Sequence, residues 1–138
     1  KLDLQAAALE FVGATFFLLI SLGGIQAVSS EGAGGSPGLT IEKVLYISTC
    51  MGFSLLVSAW LFFRVTGALF NPNISLALLL VGVIRPVRFV LYCIAQMLGA
   101  IAASAFALAL TRKPCIQVRT GINPVQGVFI EMFITTAL

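Results

Sequence analysis

Of the 138 residues, 59% are hydrophobic and only 9% charged, with a mean hydropathy of +1.08. A soluble domain carries about 25% charged residues, so an ordinary soluble fold is excluded and helices facing lipid or one another are expected. Eight basic and five acidic residues leave a net charge of +3, too small and too scattered for a nucleic-acid surface, and the lack of histidine excludes an imidazole base or pH switch.

Residues 6–28 read as a first span, about 23 residues and long enough to cross a bilayer with some tilt. Lys1 before an apolar run also fits a signal peptide, but Glu10 interrupts the run and the run is too long. An ionisable group inside a span is costly and turns inward toward a partner; a Glu close to the interface can instead snorkel. Residues 29–42 are rich in Gly, Ser and Pro and form a loop outside the membrane. Residues 44–63 are a second span, which Arg64 closes at the water interface.

A half-length helix follows. Asn71 is an N-cap, its side-chain oxygen accepting from a free first-turn N–H. Pro72 suits the first helical position, and Asn73 is the second. The helix can run only over about 72–82, because Arg85, Pro86 and Arg88 do not belong in lipid. Residues 74–82 span about 13 Å at ~1.5 Å per residue, roughly half a ~30 Å bilayer core. Non-helical backbone deep in a membrane protein is tolerated only when buried in protein or lining a wet cavity. The positive end of the helix faces that cavity, favouring polar solutes and opposing cations.

Residues 87–110 are a third span. Ala95, Gly99, Ala103 and Ala107 recur every four residues, a small-residue stripe against which another helix packs closely. Gln96, in apolar surroundings, needs a partner. A polar, basic loop over 111–123 leads to a fourth span over 124–138, with Glu131 inside it. Asn123-Pro124 reads as a helix start by the same capping logic. Cys50, Cys93 and Cys115 have no C-x-x-C spacing, so neither a metal site nor a disulfide framework is expected; Cys50 and Cys93 read as apolar filler. The chain begins at Lys1 and ends in mid-pattern, and is read as a fragment.

The stretch Thr66-Gly67-Ala68-Leu69-Phe70-Asn71-Pro72-Asn73-Ile74-Ser75 resembles the S-G-A-H-x-N-P-A-V-T pattern of the aquaporin and aquaglyceroporin family, the major intrinsic proteins. Glu10-Phe11-Val12-Gly13-Ala14-Thr15-Phe16 is similar to that family's first helix, A-E-F-x-G-T-F. Tyr92, Gln96 and Gly99 stand as in its Y-x-x-A-Q-x-x-G-A, and Glu131 resembles its fourth-helix Glu, the counterpart of Glu10. The resemblance implies an all-α membrane protein with an aquaporin-like right-handed helical bundle. The chain would hold its first repeat, three spans and a re-entrant half helix, and the start of the fourth span.

By that resemblance Asn71, Pro72 and Asn73 are the pore motif, and Glu10, Gly67, Leu69, Tyr92, Gln96 and Glu131 support the loop. Glu10 would accept loop N–H groups, Gln96 would bond the loop backbone, and Gly67 would allow close backbone approach. Met51, 20 residues before Asn71, stands where the family places an aromatic residue of its selectivity ring; ordinary helix packing is the other reading. Leu69 replaces the family's usual His and removes any gating role of that His. Asn73 replaces its usual Ala, which bears on the loop contact or the pore bore. Asn123-Pro124 is followed by Val125, not by the Arg of the family's second motif. Charge does not orient the chain, with Lys1, Arg64, Arg85 and Arg88 on one side and Lys43, Arg112, Lys113 and Arg119 on the other. The resemblance implies that the N-terminus and the Asn71 loop are on the cytoplasmic side.

The implied function is a passive channel for water or small uncharged solutes such as glycerol, cut before the second half of its pore. It would sit in the plasma membrane or an internal, vacuolar membrane and form a homotetramer when complete. No cofactor, metal, nucleic acid or enzymatic chemistry is expected, for the chain offers no nucleophile–base pair or phosphate loop. The alternative, motivated by Leu69 and Asn73, is a non-conducting or regulatory relative that assembles with other subunits.

Overall fold

A computed structural model describes residues 2–31, 40–111 and 123–137, and each described element is an α-helix: α1 (Leu2–Glu31), α2 (Ile41–Thr66), α3 (Pro72–Leu80), α4 (Pro86–Thr111) and α5 (Pro124–Ala137). Helices α1, α2 and α4 are long and apolar enough to cross a bilayer. Local chemistry sets several of the ends. Thr40 caps α2 by accepting from the Lys43 N–H, and Pro occupies the first position of α3, α4 and α5.

Helix α3 stops at Leu80, two residues short of the 82 expected from hydropathy. Gly82 takes a φ of +76°; its N–H donates to the Leu79 carbonyl and that of Val83 to the Leu78 carbonyl. This pair of bonds around a left-handed glycine is a Schellman motif, which ends a helix whatever the hydropathy beyond it.

Helix α1 is the hub. Along its contacts with α2, Gly13 meets Phe62, Ser21 bonds Ser54 and Gly24 abuts Cys50, so the two helices run antiparallel. Along α4, Asp3 pairs with Arg88, Glu10 with Gln96 and Thr15 with Gly99, so these two run parallel. The small-residue stripe of α4 is the face turned to α1: Ala95, Gly99, Ala103 and Ala107 are all buried. At Gly99 a Cβ would stand 2.9 Å from the Phe11 carbonyl oxygen and 3.1 Å from the Ala14 Cβ. Leu22 closes the far end against Ala103 and Ala107.

Apolar side chains cover the opposite faces. Phe53, Trp60 and Leu61 of α2 and Ile94, Met97 and Ile101 of α4 are exposed, the inverse of a soluble protein's surface. Helix α3 packs on α4. Glu131 lies in α5; its side chain, like residues 32–39 and 112–122, falls outside the described residues.

Candidate functional site

The site is the turn between α2 and α3, and its shape starts with three left-handed backbone torsions. Gly67 caps α2 at φ +92°, its N–H donating to the Phe63 carbonyl. Ala68 and Phe70 are also left-handed, at φ +52° and +47°. The Ala68 N–H donates to Thr66 Oγ1 at 3.1 Å. The Leu69 and Phe70 N–H groups then both point at one acceptor, the Glu10 carboxylate, at 3.2 Å to Oε1 and 3.0 Å to Oε2.

Glu10 is fully buried. Its Oε2 accepts a third bond, from Gln96 Nε2 at 2.9 Å, and the same nitrogen stands 3.1 Å from Ser75 Oγ. Ser75, also fully buried, donates to the Asn71 carbonyl at 3.1 Å. One hydrogen-bonded chain therefore links α1, the turn, α3 and α4. A buried carboxylate needs several donors to fill its lone-pair sites, and three converge here. Tyr92, 1% exposed, anchors the end of α2 by donating to the Thr66 carbonyl at 3.1 Å.

Two expectations are corrected in detail. Gln96 bonds the side chains of Glu10 and Ser75, not the loop backbone, because Glu10 already holds the nearest loop N–H groups. Gly67 is needed for its torsion and not for close approach: a Cβ there would meet only the Leu69 side chain, at an ordinary 3.7 Å. Gly67→Ala is accordingly expected to cost about 1–2 kcal/mol, and Gly67→Asn less, because Asn tolerates the left-handed region. Thermal unfolding of the purified full-length protein checks that order.

Leu69 contributes its N–H to Glu10, while its side chain packs with Ala7, Tyr92 and Ala95 in the core. Asn71 caps α3 from extended backbone (φ −140°), its Oδ1 accepting from the Asn73 N–H at 2.9 Å. The cap consumes the oxygen and leaves the amide nitrogen as the group with donors to offer. Asn73 is exposed at the second helical position. Gly13, against which Phe70 packs, lies ten residues beyond Asp3 on α1. At ~1.5 Å per residue that is about 15 Å, half the depth of a ~30 Å core.

Met51 is not part of this network. Its neighbour Cys50 abuts Gly24, about 20 Å along α1 from Glu10 at ~1.5 Å per residue, and Met51 is 41% exposed.

Three contributors escape sequence reading. Ser75 has a weak signal, a hydroxyl four residues after the cap that can bond the carbonyl at i−4. Thr66 has a similar local one, bonding the N–H two residues on. Asp3 has none: Arg88 pairs with it at 2.6 Å, and Arg85 lies 3.9 Å away. This ion pair ties the starts of α1 and α4 across 85 residues of sequence.

Comparison with known proteins points to one family. The family model described as Major intrinsic protein matches residues 2–138. Aquaporin-1 of Laccaria bicolor is 63% identical over 141 residues, covering 99% of this chain and 45% of its own length. A second aquaporin of Laccaria bicolor is 62% identical with the same coverage. Aquaporin-7 of Botryotinia fuckeliana is 41% identical over 143 residues, covering 96% of the chain and 31% of its own length. The chain thus spans less than half the length of these curated relatives.

Proposed function

Because the chain belongs to the major intrinsic protein family, we propose that the whole protein is a passive channel for water and small uncharged solutes such as glycerol, with Asn71 as a pore group. The protein is an integral membrane protein. The observation that carries the reading is the start of α3, tied to α1 and α4 by the Glu10–Gln96–Ser75 network.

The mechanism needs no covalent step. Asn71 spends its oxygen on the cap and donates its amide N–H to the oxygen of a passing solute. The positive end of α3 opposes cations and protons. Apolar walls give the solute few partners, so it moves on quickly. Asn71, Pro72 and Asn73 are the pore motif, Met51 stands at the selectivity ring, and Glu10, Gly67, Leu69, Tyr92, Gln96 and Glu131 support the loop. The segment that carries the Asn71 turn enters from the cytoplasmic side of a plasma or vacuolar membrane, and the complete protein is a homotetramer.

The test is flux through the full-length protein in proteoliposomes, with water and glycerol gradients and a pH dye. The wild type is expected to raise water or glycerol flux well above that of lipid. Asn71→Ala should lower it five- to tenfold, the equivalent of one hydrogen bond of about 1 kcal/mol, or admit protons. A wild-type protein that assembles yet adds nothing to lipid permeability favours the non-conducting alternative, to which Leu69 and Asn73 point.

A further inference from the structure

We propose that Phe70 is a positioning residue, held in a three-ring clamp that aims Asn71; the inference rests on the reading of Asn71 as a pore group. A bulky residue at positive φ is an outlier, and Phe70 sits at +47°. Such a torsion persists only where the surroundings over-determine it. The backbone side is held by Glu10, which accepts the Phe70 N–H at 3.0 Å.

The side chain is held separately, by residues of two other elements. Phe17 of α1 stacks on the Phe70 ring at 6.3 Å between centroids and 19° between planes. Phe62 of α2 meets it edge-on at 5.9 Å and 82°. Both are favoured aromatic geometries. Beneath the ring lies Gly13, where a Cβ would stand 2.8 Å from the Phe70 Cζ and 3.2 Å from the Phe62 Cγ. Glycine is required there because the ring already fills the space. Phe70 itself is 6% exposed.

The consequence is geometric. Phe70 immediately precedes Asn71. With its amide pinned to α1 and its ring pinned between α1 and α2, both substituents of its Cα are fixed. That fixes the φ of Phe70 and so the direction in which its Cα–C bond leaves toward Asn71, whose cap bond to the Asn73 N–H then sets where its amide nitrogen points. Glu10 alone fixes only the N–H side and leaves rotation about the Phe70 Cα open.

The experiment uses the full-length protein with Phe70→Leu, Gly13→Ala, the double substitution and Asn71→Ala. It reads amide hydrogen exchange over 68–73, and proton against water flux in proteoliposomes. Phe70→Leu keeps apolar bulk but loses both ring contacts. Exchange of the turn is expected to rise about tenfold, the worth of two aromatic pairs, with a loss of discrimination against protons. Gly13→Ala should impair assembly, because the new methyl meets the ring. The double substitution should restore assembly, because Leu vacates that space, without restoring discrimination.

Wild-type exchange in Phe70→Leu overturns the proposal. So does faster exchange with wild-type discrimination in a protein whose Asn71→Ala variant has lost it. If Asn71→Ala conducts like the wild type, the pore reading fails, and the exchange rates still decide whether the clamp holds the turn.

Discussion

Glu10→Ala is expected to release the 66–75 segment and to destabilise the full-length protein by roughly 3 kcal/mol or more. The variant leaves two buried N–H groups, those of Leu69 and Phe70, without their acceptor and takes one of two partners from the side-chain amide of Gln96. Each orphaned buried group costs about 1–3 kcal/mol, and where Glu10 is fully buried little water is at hand to replace the carboxylate. The left-handed torsions of Ala68 and Phe70 would relax once the N–H groups are no longer drawn to α1. Glu10→Gln separates charge and shape from acceptor count. It keeps one acceptor oxygen but sets an NH2 against at least one donor, so its loss should fall between those of wild type and Glu10→Ala. Thermal unfolding of detergent-solubilised protein orders the three. A Glu10→Ala protein as stable as wild type would mean that the turn is held by its packing alone.

Glu10 also shows how much could be read without coordinates. A carboxylate in an apolar span announces a buried partner by its cost, and the Asn71-Pro72 pair announces a helix start by capping chemistry. Both signals are local, and both lie within a few residues of the group concerned. The stripe from Ala95 to Ala107 likewise marks a close helix contact, because periodicity is a property of one segment. What periodicity does not carry is the partner. That α1 is the helix on this stripe, running parallel with Asp3 beside Arg88, depends on residues 85 positions apart. The Gly13–Phe70 contact is equally silent. Glycine in a span is common, and only the ring seated against it shows why this one has no side chain. The left-handed torsion of Phe70 runs against local preference altogether, so tertiary contacts, not the residue, select it.

Gly99→Leu is expected to be the most damaging change outside the site, and the reason leads back to the site. The space where a Gly99 Cβ would go is bounded by the Phe11 carbonyl oxygen at 2.9 Å, the Ala14 Cβ at 3.1 Å and Thr15 Oγ1 at 3.2 Å. Two of the three are backbone or a methyl on it and cannot swing away, so α1 and α4 must separate. Overpacking of this kind costs about 1–3 kcal/mol for a small addition, which sets the expectation for Gly99→Ala; Gly99→Leu should exceed it. In a bilayer the loss is not recovered elsewhere, because helix association there rests on close contact and not on apolar burial. Gly23 supplies the control. It lies on the same helix as Phe11 and Thr15, a Cβ there meets nothing within 4 Å, and Gly23→Ala should gain up to about 1 kcal/mol from helix propensity. The separation of α1 from α4 also stretches the 2.9 Å bond from Gln96 to Glu10, which lies one turn from the wedge. Gly99→Ala should therefore speed amide exchange at Leu69 and Phe70 as well as lower the unfolding temperature, while Gly23→Ala does neither. If Gly99→Ala loses stability and leaves those amides protected, Glu10 holds the turn without help from α4.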